Sequence, residues 1–575
     1  MITMRNLIQF CLLGVMLMAL PASVQAQFTF TTNNGAITIT GYTGNPTTLN
    51  IPSTTNGYPV TSIGDNSFKL KTGLTNVVVP ASVLTIGNHA FDGCYKLANA
   101  SLGSAVSSIG DYAFNVCSVL TNFTLPNNLT NIGNWAFADC YGLTSLVFPD
   151  SVVNIGVDAF VSCDHLTNVL IGSGVTNIGN NGFDACKQLK SFSVSSSNAV
   201  YSTVNNVLFD KQTNTLVWCL PQKTGSYTVP NSVVRIANSA FAGCGLDTID
   251  MGNSVKNVES YAFASQNLVN VTIGNGVTNI GDYAFSCTFS KLANVQIGSS
   301  VTRIGQRAFN SCVALGSVVI PDNVLNIESY AFYTCTGLNH VQIGHGVVNI
   351  GMNAFARCSS LVEVTIPDSV TNLGFDAFGY CTSLADATIG NGVTTITDQA
   401  FYFCSNLKQV TFGSGVTQIN SMAFSHCRSL TRLTFPASIT NISFYGFQDC
   451  GALTEIYFNG NAPSVDGTVF ELDTLATAYY LFGTTGWSDF ANTTGLPTRL
   501  WNPQAKTSDG SFGVRTNRFG FNFTGVSNTV VVVEASTNLL NWQPVQTNTL
   551  TTGSAYFSDP LWTNYPGRFY RLRSP

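Results

Sequence analysis

The segment LTNVVVPASVLTIGNHAFDGCYK, residues 74–96, returns in altered form about every 23 residues for most of the chain. Its phenylalanine belongs to a series of 17 that is broken once, after Phe183: Phe68, Phe91, Phe114, Phe137, Phe160, Phe183, Phe241, Phe263, Phe285, Phe309, Phe332, Phe355, Phe378, Phe401, Phe424, Phe447 and Phe470. A fixed period of about 20–50 residues is typical of a solenoid, in which each coil contacts only its neighbours. The 575-residue chain is therefore predicted to be a β-rich repeat array of about 17 coils with a 23-residue period.

One coil of this array is predicted from the spacing of its apolar residues. Residues 74–80 are predicted to form a main strand in which alternate side chains point into the core. Residues 83–86 supply a second pair of inward side chains. Residues 88–94 are predicted to make one helical turn that places Phe91 and Cys94 inside. About seven inward side chains contribute about 1.5–3 kcal/mol each, which is less than the cost of ordering 23 backbones at about 1–2 kcal/mol per residue. Stacking of neighbouring coils is therefore required for stability.

The N-terminal region is predicted to hold a targeting signal followed by a cap. Residues 1–26 have the features of a cleaved secretory signal peptide, with Arg5 before an apolar stretch and Val24-Gln25-Ala26 at the cleavage site. The alternative, an uncleaved membrane anchor, is less favoured because the apolar run is short for a span. Residues 27–50 are predicted to form a β-hairpin around Asn34-Gly35 that covers the open end of the first coil.

The repeats are predicted to form a solenoid over residues 51–502, interrupted by an insertion at about residues 195–226. Within the insertion, the apolar runs 207–209 and 216–218 flank a polar turn, which indicates a hairpin. This hairpin either projects from the edge of the solenoid or packs as a flap over neighbouring coils. Insertions into repeats often lie on a working face, so both alternatives bear on function.

The end of the chain changes character. After Phe470 the period decays, and residues 479–481 and 498–501 are predicted to be closing strands. Residues 503–575 lack the period and contain short alternating runs typical of a small antiparallel β-sandwich, in which Trp542 and Trp562 are expected to be core anchors.

The repeat pattern L-x-x-V-x-I-P-x-S-V-x-x-I-G-x-x-A-F-x-x-C resembles the BspA-like leucine-rich repeats of bacterial surface and secreted proteins. It is clear in residues 361–381 (LVEVTIPDSVTNLGFDAFGYC) and again in residues 315–335, and the resemblance covers roughly residues 51–480. The insertion around Tyr201 and residues 207–209 is similar to one found in that family. The resemblance implies a leucine-rich repeat fold and an extracellular binding or adhesion role, in some members toward host matrix proteins. It does not identify a ligand.

Composition and motifs argue against several classes of function. Charged residues make up only 9% of the chain and the net charge is −5, with no run of Lys or Arg, so nucleic acid is not expected as a partner. The chain contains no Gly-rich phosphate loop, nucleophile elbow, H-E-x-x-H motif or C-x-x-C pair, and its five histidines are spread over four coils. No catalytic, metal or cofactor-binding residue is predicted, and no transmembrane segment after signal cleavage.

The cysteines recur at the repeat spacing, as in Cys94, Cys117 and Cys140. Successive coils bring such residues close enough for disulfides in principle. Parallel side chains on neighbouring coils are poorly oriented for bridging, however, and the chain after residue 26 holds an odd number of cysteines, 15. The pattern therefore favours a ladder of buried thiols that act as small apolar groups.

Two surface stripes are candidate ligand-binding sites. The first, on the outward side of the main strands, consists of Thr272, Gln296, Val319, Gln342, Thr365, Thr388, Thr411, Thr434 and Tyr457. The second, just before the repeat phenylalanine, consists of Tyr112, Trp135, Tyr261, Tyr283, Tyr330 and Phe375. The first stripe also fits simple β-propensity and cross-strand pairing, and its earlier part, with Val147 and Leu170, is more apolar. The aromatic residues of the second also fit lateral packing on the neighbouring coil.

These features predict a non-catalytic protein, secreted or displayed at the cell surface, that binds an extracellular protein or glycan through an extended solenoid face. Two alternatives remain at this point. One is a carbohydrate-active enzyme or its accessory binding module, suggested by the signal peptide and the surface aromatic residues. The other is a purely architectural protein of the cell envelope that is docked by residues 503–575.

Overall fold

The computed structural model describes residues 27–573 apart from 212–213, 265–266, 287–290, 482, 502 and 526–528. The predicted signal peptide and Cys287 lie outside the described residues. The chain divides into two compact units, Met1–Val301 and Thr302–Pro575. The predicted repeat array is confirmed: the fold is a β-solenoid of about 20 turns with almost no helix. The number of turns exceeds 17 because the main strands Ser191–Val194, Thr477–Tyr480 and Thr498–Leu500 belong to coils without a repeat phenylalanine.

Each coil contributes a main strand that pairs in parallel, at the same repeat position, with the main strand of at least one adjacent coil in its unit. In the first unit these strands are Thr48–Asn50, Asn76–Val78, Asn99–Ser101, Asn122–Phe123, Ser145–Val147, Asn168–Ile171, Ser191–Val194, Thr224–Thr228, Gly245–Asp250, Asn270–Thr272 and Asn294–Gln296. In the second unit they are Ser317–Val319, His340–Gln342, Glu363–Ile366, Asp386–Ile389, Gln409–Thr411, Arg432–Phe435, Glu455–Phe458, Thr477–Tyr480 and Thr498–Leu500.

A second, shorter strand follows in most coils and also pairs in parallel. The short strands of the first unit are Tyr58–Ile63, Thr85–Ile86, Ser108–Ile109, Asn131–Ile132, Asn154–Ile155, Asn177–Ile178, Arg235–Ile236, Asn257–Val258 and Asn279–Ile280. Those of the second unit are Arg303–Ile304, Asn326–Ile327, Asn349–Ile350, Asn372–Leu373, Thr395–Ile396, Gln418–Ile419 and Asn441–Ile442.

The helical turn predicted for residues 88–94 is wrong. This segment is a series of hydrogen-bonded turns in which two residues have positive φ, His89 at 54° and Gly93 at 73°. The next coil repeats the pattern with Tyr112 and Val116, both at 57°. An α-helix would bond its backbone groups within the coil, whereas these turns leave half of them free to reach the next coil. We call this surface, residues 88–95 and their equivalents, the turn wall.

Backbone hydrogen bonds join the turn walls of successive coils in one direction. Phe91 N–H donates to Ala113 O at 2.7 Å, and Gly93 N–H donates to Asn115 O at 2.8 Å. The amide of the intervening residue, Asp92, donates within its own coil. The Cys94 amide does the same and donates to Phe91 O at 3.2 Å. The same alternation recurs along both units, so the amide groups of one turn wall point toward the carbonyl groups of the following one.

The core between the walls is filled by the apolar residues that the repeat predicts. In the coil 74–96, Leu74, Val77, Val83 and Phe91 are fully buried. The phenylalanine rings of adjacent coils stack, and the centroids of Phe91 and Phe114 lie 5.1 Å apart with planes inclined by 12°. The inward positions predicted from the period are confirmed.

The cysteines of the described chain form the expected thiol ladder: all 14 are free and buried. In most coils the thiol donates to the carbonyl of the phenylalanine 26 residues earlier, as from Cys94 Sγ to Phe68 O at 3.2 Å and from Cys117 Sγ to Phe91 O at 3.4 Å. Burial raises the pKa of Cys94 to about 12, so this thiol stays protonated at neutral pH.

A β-hairpin covers the start of the stack. Phe28–Asn33 pairs antiparallel with Ala36–Tyr42, and the turn residues Asn34 and Gly35 have φ of 49° and 77°. This is the conformation that an Asn-Gly turn favours. The Phe28 ring meets the Phe68 ring edge to face at 6.4 Å, so the hairpin packs on the first repeat phenylalanine. A further short strand, Thr54–Thr55, pairs with Tyr58–Ile63.

The insertion packs into the stack and does not project from it, so the flap alternative is the correct one. Its strands are Tyr201–Val204, Val207–Asp210 and Thr215–Cys219. They form an antiparallel meander, and the last strand pairs in parallel with Arg235–Ile236. Trp218 is buried against Phe183 and Phe192, at centroid distances of 6.2 and 5.4 Å. The burial of its apolar runs holds the insertion in the core.

The end of the stack contains the expected closing strands, Thr477–Tyr480 and Thr498–Leu500. Between them lies a helix, Trp487–Thr494, that the Gly/Thr-rich composition did not indicate. Trp487 and Phe490 of this helix pack on Phe458 at 5.0 and 5.4 Å. The helix thereby covers apolar side chains of the last coils.

The C-terminal segment forms two small antiparallel sheets around one apolar core. Its strands are Gln504–Lys506, Gly513–Arg515, Arg518–Thr524, Val530–Ser536, Gln543–Thr549, Ser554–Asp559 and Phe569–Arg573, with a 3-10 turn at Trp562–Asn564. Phe523 and Phe557 belong to the core, whereas Trp542 and Trp562 are only partly buried. The prediction that these tryptophans anchor the core is wrong; the Arg571 guanidinium lies 4.4 Å from the Trp542 ring near the surface.

The thiol ladder predicts a clear result in thiol counting. Because the thiols are buried and protonated, we expect an alkylating reagent to label none of the 14 described cysteines in the native protein. After denaturation without reductant, we expect all of them to be labelled, as counted by mass spectrometry. Thiols that stay blocked after denaturation would instead show disulfides.

Asp473 occupies the cysteine position of the last repeat, 23 residues after Cys450. It is 2% exposed, neither carboxyl oxygen has a hydrogen-bond partner among the described residues, and burial raises its pKa to about 8. The Asp473 carboxyl group ionises near pH 4 in the unfolded chain and near pH 8 in the folded chain. Its contribution therefore lowers the free energy of unfolding progressively as the pH rises from 4 to 8, and by the full amount above pH 8.

We therefore expect Asp473→Cys to raise the thermal unfolding temperature at pH 8 more than at pH 5. Glu471→Gln serves as the control because Glu471 is exposed in the same coil. An equal effect of Asp473→Cys at both pH values would contradict the assignment of a buried, protonated carboxyl group.

Candidate functional site

The first predicted stripe lies on the outward side of the main strands, where the period-2 alternation places it. In the second unit Thr365, Thr388 and Thr411 are direct neighbours in register. In the first unit Thr272 and Gln296 are paired in the same way. The structure therefore brings the second-unit residues Thr365, Thr388, Thr411, Thr434 and Tyr457 onto one face, together with Val319 and Gln342 on the pair of strands before them. We call this the main-strand face.

A groove of about 570 Å³ lies on the main-strand face of the second unit. Thr411 and Thr434 from the predicted stripe line it. Gln409, Arg432 and Glu455, which hold the preceding outward position of their main strands, also line the groove. Lys408 and Thr529 complete its polar rim. The lining is mostly hydroxyl, amide and charged groups, which suits hydrogen bonding to a polar ligand.

Ion pairing and stacking hold the charged end of this groove in place. Arg432 Nε donates to Glu455 Oε2 at 2.7 Å, and the guanidinium lies 5.5 Å from the Tyr457 ring centroid. Tyr457 in turn stacks on Tyr479 at 5.0 Å. Partial burial raises the pKa of Tyr457 to about 12, so its hydroxyl remains a neutral donor. Lys408 has no ion-pair partner in the described chain and is available to a ligand.

The earlier part of the outward stripe is more apolar, as the sequence indicated. Val147 and Leu170 lie side by side in register and are 63% and 40% exposed. A second groove, of about 450 Å³, is lined by both residues together with Phe148 and Pro149. This patch belongs to the first unit and differs in chemistry from the polar groove.

The second predicted stripe lies on the turn wall, at the first positive-φ position of each coil. His89, Tyr112 and Trp135 stack face to face, with ring centroids 4.7 and 5.9 Å apart and planes within 6° of parallel. Tyr261 and Tyr283 stack in the same way at 4.7 Å. These residues pack laterally on the neighbouring coil, and most ring faces are therefore already covered.

Tyr330 also belongs to this stripe, and the Arg307 guanidinium lies 4.7 Å from its ring centroid. Phe375 does not belong to it. Phe375 precedes Phe378 by three residues, and Asp376 takes the positive-φ position of that coil, at 52°. The prediction for Phe375 is wrong by one residue because the pattern was aligned on aromatic character rather than on distance from the repeat phenylalanine.

A further column on the turn wall of the second unit was not predicted. It lies one residue before each repeat cysteine, at the second positive-φ position, and consists of Arg357, Tyr380, Phe403, His426 and Asp449. Ring or guanidinium centres are 4.5, 5.5 and 4.3 Å apart along its first four members. His426 Nδ1 lies 2.7 Å from Asp449 Oδ2. We call these five residues the turn-wall ladder. The fixed spacing of 23 residues is the sequence signal that identifies it.

The structure adds no sign of a metal centre in the described part of the chain. No three or more His, Cys, Asp or Glu side chains there are grouped so as to hold a metal ion. His340 makes one contact with a carboxylate, at 3.6 Å from Glu363. None of the helices in the described ranges has the length and apolar character of a membrane span.

Comparison with family models gives one match. The model of the BspA type leucine rich repeat region matches residues 42–152, 107–219, 218–339, 302–428 and 374–485. These overlapping ranges together span residues 42–485, which is well over half of the chain. No curated protein matches the chain.

Several solved structures are similar to this chain. A leucine-rich repeat protein from Eubacterium ventriosum is 22% identical, over 62% of this chain and 94% of that chain, with a TM-score of 0.50. A leucine rich cell surface protein from Faecalibacterium prausnitzii is 26% identical, over 67% and 93% of the two chains, with a TM-score of 0.37. The pneumococcal vaccine antigen PcpA is 19% identical, over 82% and 96%, with a TM-score of 0.37. At 22% identity, the first similarity supports the fold alone.

The stacking of Tyr112 on Trp135 predicts an energetic coupling between the two residues. Aromatic pairs contribute about 0.5–1.5 kcal/mol beyond the area they bury, so Tyr112→Ala and Trp135→Ala should be non-additive by about that amount. A double-mutant cycle measured by chemical denaturation tests this. Additive effects would show that the two rings do not support each other and are held only by their own coils.

Proposed function

The chain belongs to the BspA-type leucine-rich repeat family, and from this premise we propose that it is a non-catalytic extracellular protein that binds a protein or glycan through its main-strand face. The observation that carries the proposal is the groove of about 570 Å³ in the second unit. Its position over Thr411 and Thr434 coincides with the stripe predicted from the sequence. Extracellular location rests on the predicted signal peptide at residues 1–26 and on the family resemblance.

The geometry of the main-strand face favours recognition by many weak contacts. Neighbouring strands lie about 4.8 Å apart, so outward side chains form a regular lattice on a rigid sheet. Thr365, Thr388 and Thr411 have little side-chain freedom to lose on binding because each is β-branched. Lys408 and the Arg432–Glu455 pair add charged groups at one end of this lattice, which gives a ligand a defined orientation.

We also propose the domain division that the sequence suggests. Residues 1–26 would be removed on export, residues 27–50 would cap the solenoid, and residues 51–502 would form the binding scaffold. The C-terminal module at residues 503–575 would then serve as a separate unit, and Thr529 lets it contribute to the rim of the groove. The predicted candidates Tyr112, Trp135, Tyr283 and Tyr330 are a less favoured surface, because neighbouring side chains cover faces of their rings.

Charge substitution on the main-strand face tests the proposal. The double variant Thr411→Lys and Thr434→Lys places two cations in the groove, and we expect it to weaken ligand binding at least about tenfold by steric block and desolvation. The matched control is Thr417→Lys with Thr440→Lys, two threonines of the same coils that lie beside the short strands. Binding is measured on immobilised extracellular matrix proteins and on a glycan array.

The control double variant should bind as the unmodified protein does. Equal loss in both double variants would point to a general effect of charge or stability. Unchanged binding in the Thr411 and Thr434 variant would show that the ligand uses another face.

A further inference from the structure

The turn-wall ladder is accompanied by one more aromatic residue, Tyr402, which follows the repeat phenylalanine of its coil. The Tyr402 ring lies 5.4, 5.0 and 5.5 Å from the rings of Tyr380, Phe403 and His426. Its plane is inclined to theirs by 84°, 73° and 73°. Tyr402 therefore stands roughly perpendicular to all three rings.

Tyr402 is the accessible ring of this arrangement. Within the ladder, the faces of Tyr380 and Phe403 are covered by their neighbours, so only their edges are accessible. Tyr402 is partly exposed, and no other aromatic or cationic group of the described chain contacts it. The cluster thus presents a partly exposed ring that is supported by its aromatic neighbours.

Polar groups held in fixed orientations surround this ring. Asp449 Oδ2 accepts hydrogen bonds from Arg428 Nη2 at 2.6 Å and from His426 Nδ1 at 2.7 Å. These bonds hold the pKa of Asp449 below its usual range, against the effect of burial. The contact with the carboxylate uses Nδ1, so the other ring nitrogen of His426 is left to hydrogen-bond a ligand. Arg357 is exposed, its guanidinium lies 4.5 Å from the Tyr380 ring centroid, and its guanidinium N–H groups are unpaired in the described chain.

The charges of the cluster balance. Arg357 and Arg428 are matched by Asp449 and by Asp376, a buried carboxyl group that accepts a hydrogen bond from Asn353. An ionic ligand would therefore gain little from the net field of this surface. Donors and acceptors near a partly exposed aromatic ring suit a neutral ligand that has many hydroxyl groups and an apolar ring face.

We propose that Tyr402 and the turn-wall ladder form a second binding site, specific for a neutral oligosaccharide. One sugar ring packs its C–H face on the exposed part of the Tyr402 ring, whose π-electron density is negative at the face. The hydroxyls of the same or the next sugar bond to the free nitrogen of His426 and to the guanidinium of Arg357, a planar fork of donors. A protein partner would need a larger apolar surface than one ring provides.

This site goes beyond the proposed function. It lies on the turn wall, whereas the proposed ligand surface lies on the main strands. The two can therefore fail separately: substitutions at Thr411 and Thr434 test the main-strand face, and substitutions at Tyr402 test the turn wall.

The test is calorimetric titration of the full chain with cellohexaose, xylohexaose, mannohexaose and maltohexaose. We expect at least one of these neutral oligosaccharides to bind, Tyr402→Ala to weaken that binding about tenfold or more, and Tyr402→Phe to change it less than about threefold. The matched control is Tyr333→Ala. Tyr333 also follows a repeat phenylalanine, but among the rings of the described residues it contacts Tyr330 alone, at 5.4 Å.

Three outcomes would overturn the proposal: no binding to any of the four sugars, full binding by Tyr402→Ala, or equal loss in Tyr333→Ala. Thermal melting of each variant shows whether it is folded. If Tyr402→Ala melts early, Arg357→Ala provides the second test, since this exposed residue should lower sugar affinity without loss of the core. Loss of binding to an immobilised matrix protein, with no sugar bound, would assign the cluster to a protein partner instead.

Discussion

One-way hydrogen bonding between turn walls is the constraint on which the rest of the structure depends. The main strands are mostly two to four residues long and most short strands have two residues, so sheet pairing alone joins only part of each coil to the next. The turn wall adds bonds such as Phe91 N–H to Ala113 O at 2.7 Å, repeated at alternate residues. This alternation requires positive φ at two positions per coil, which costs about 1–2 kcal/mol for each residue with a side chain. The intercoil bonds and the fixed stacking register offset that cost.

The fixed register has a second consequence, because it places like residues on one another. Phenylalanine rings stack near 5.1 Å, thiols bond to the carbonyl of the previous coil, and Asn154 donates to Asn131 at 2.8 Å. The same rule orders the surface: columns of outward side chains run along the solenoid at the spacing of the coils. The main-strand face and the turn-wall ladder are two such columns, one rich in threonine and one in aromatic and cationic groups.

Much of this could be predicted from the period, because inward positions repeat and their burial follows from spacing. The thiol ladder, the hairpin at Asn34-Gly35 and the outward position of Thr411 are of this kind. The geometry of residues 88–94 could not be predicted in the same way, since a turn with alternating φ and a single helical turn place Phe91 inside equally well. The helix at Trp487–Thr494 lies where the period has ended.

The surface was predicted less completely because a binding site is formed across coils. Tyr380, Phe403 and His426 look unrelated along the chain and become one cluster only when the 23-residue register is applied to the position before each cysteine. Trp542 and Trp562 were misassigned for the opposite reason: without a repeat, size and apolarity alone suggested burial. Reading a solenoid by columns therefore gives more information about its surface than reading it by motifs.

Amide hydrogen exchange of the full chain is the most direct test of the turn wall. If its one-way hydrogen bonds join the coils, amides at residues such as Phe91, Phe114 and Phe137 should exchange as slowly as those of the main strands, in coil after coil. Exchange of these turn amides within seconds, as expected of surface loops, with protection confined to the strands, would contradict it.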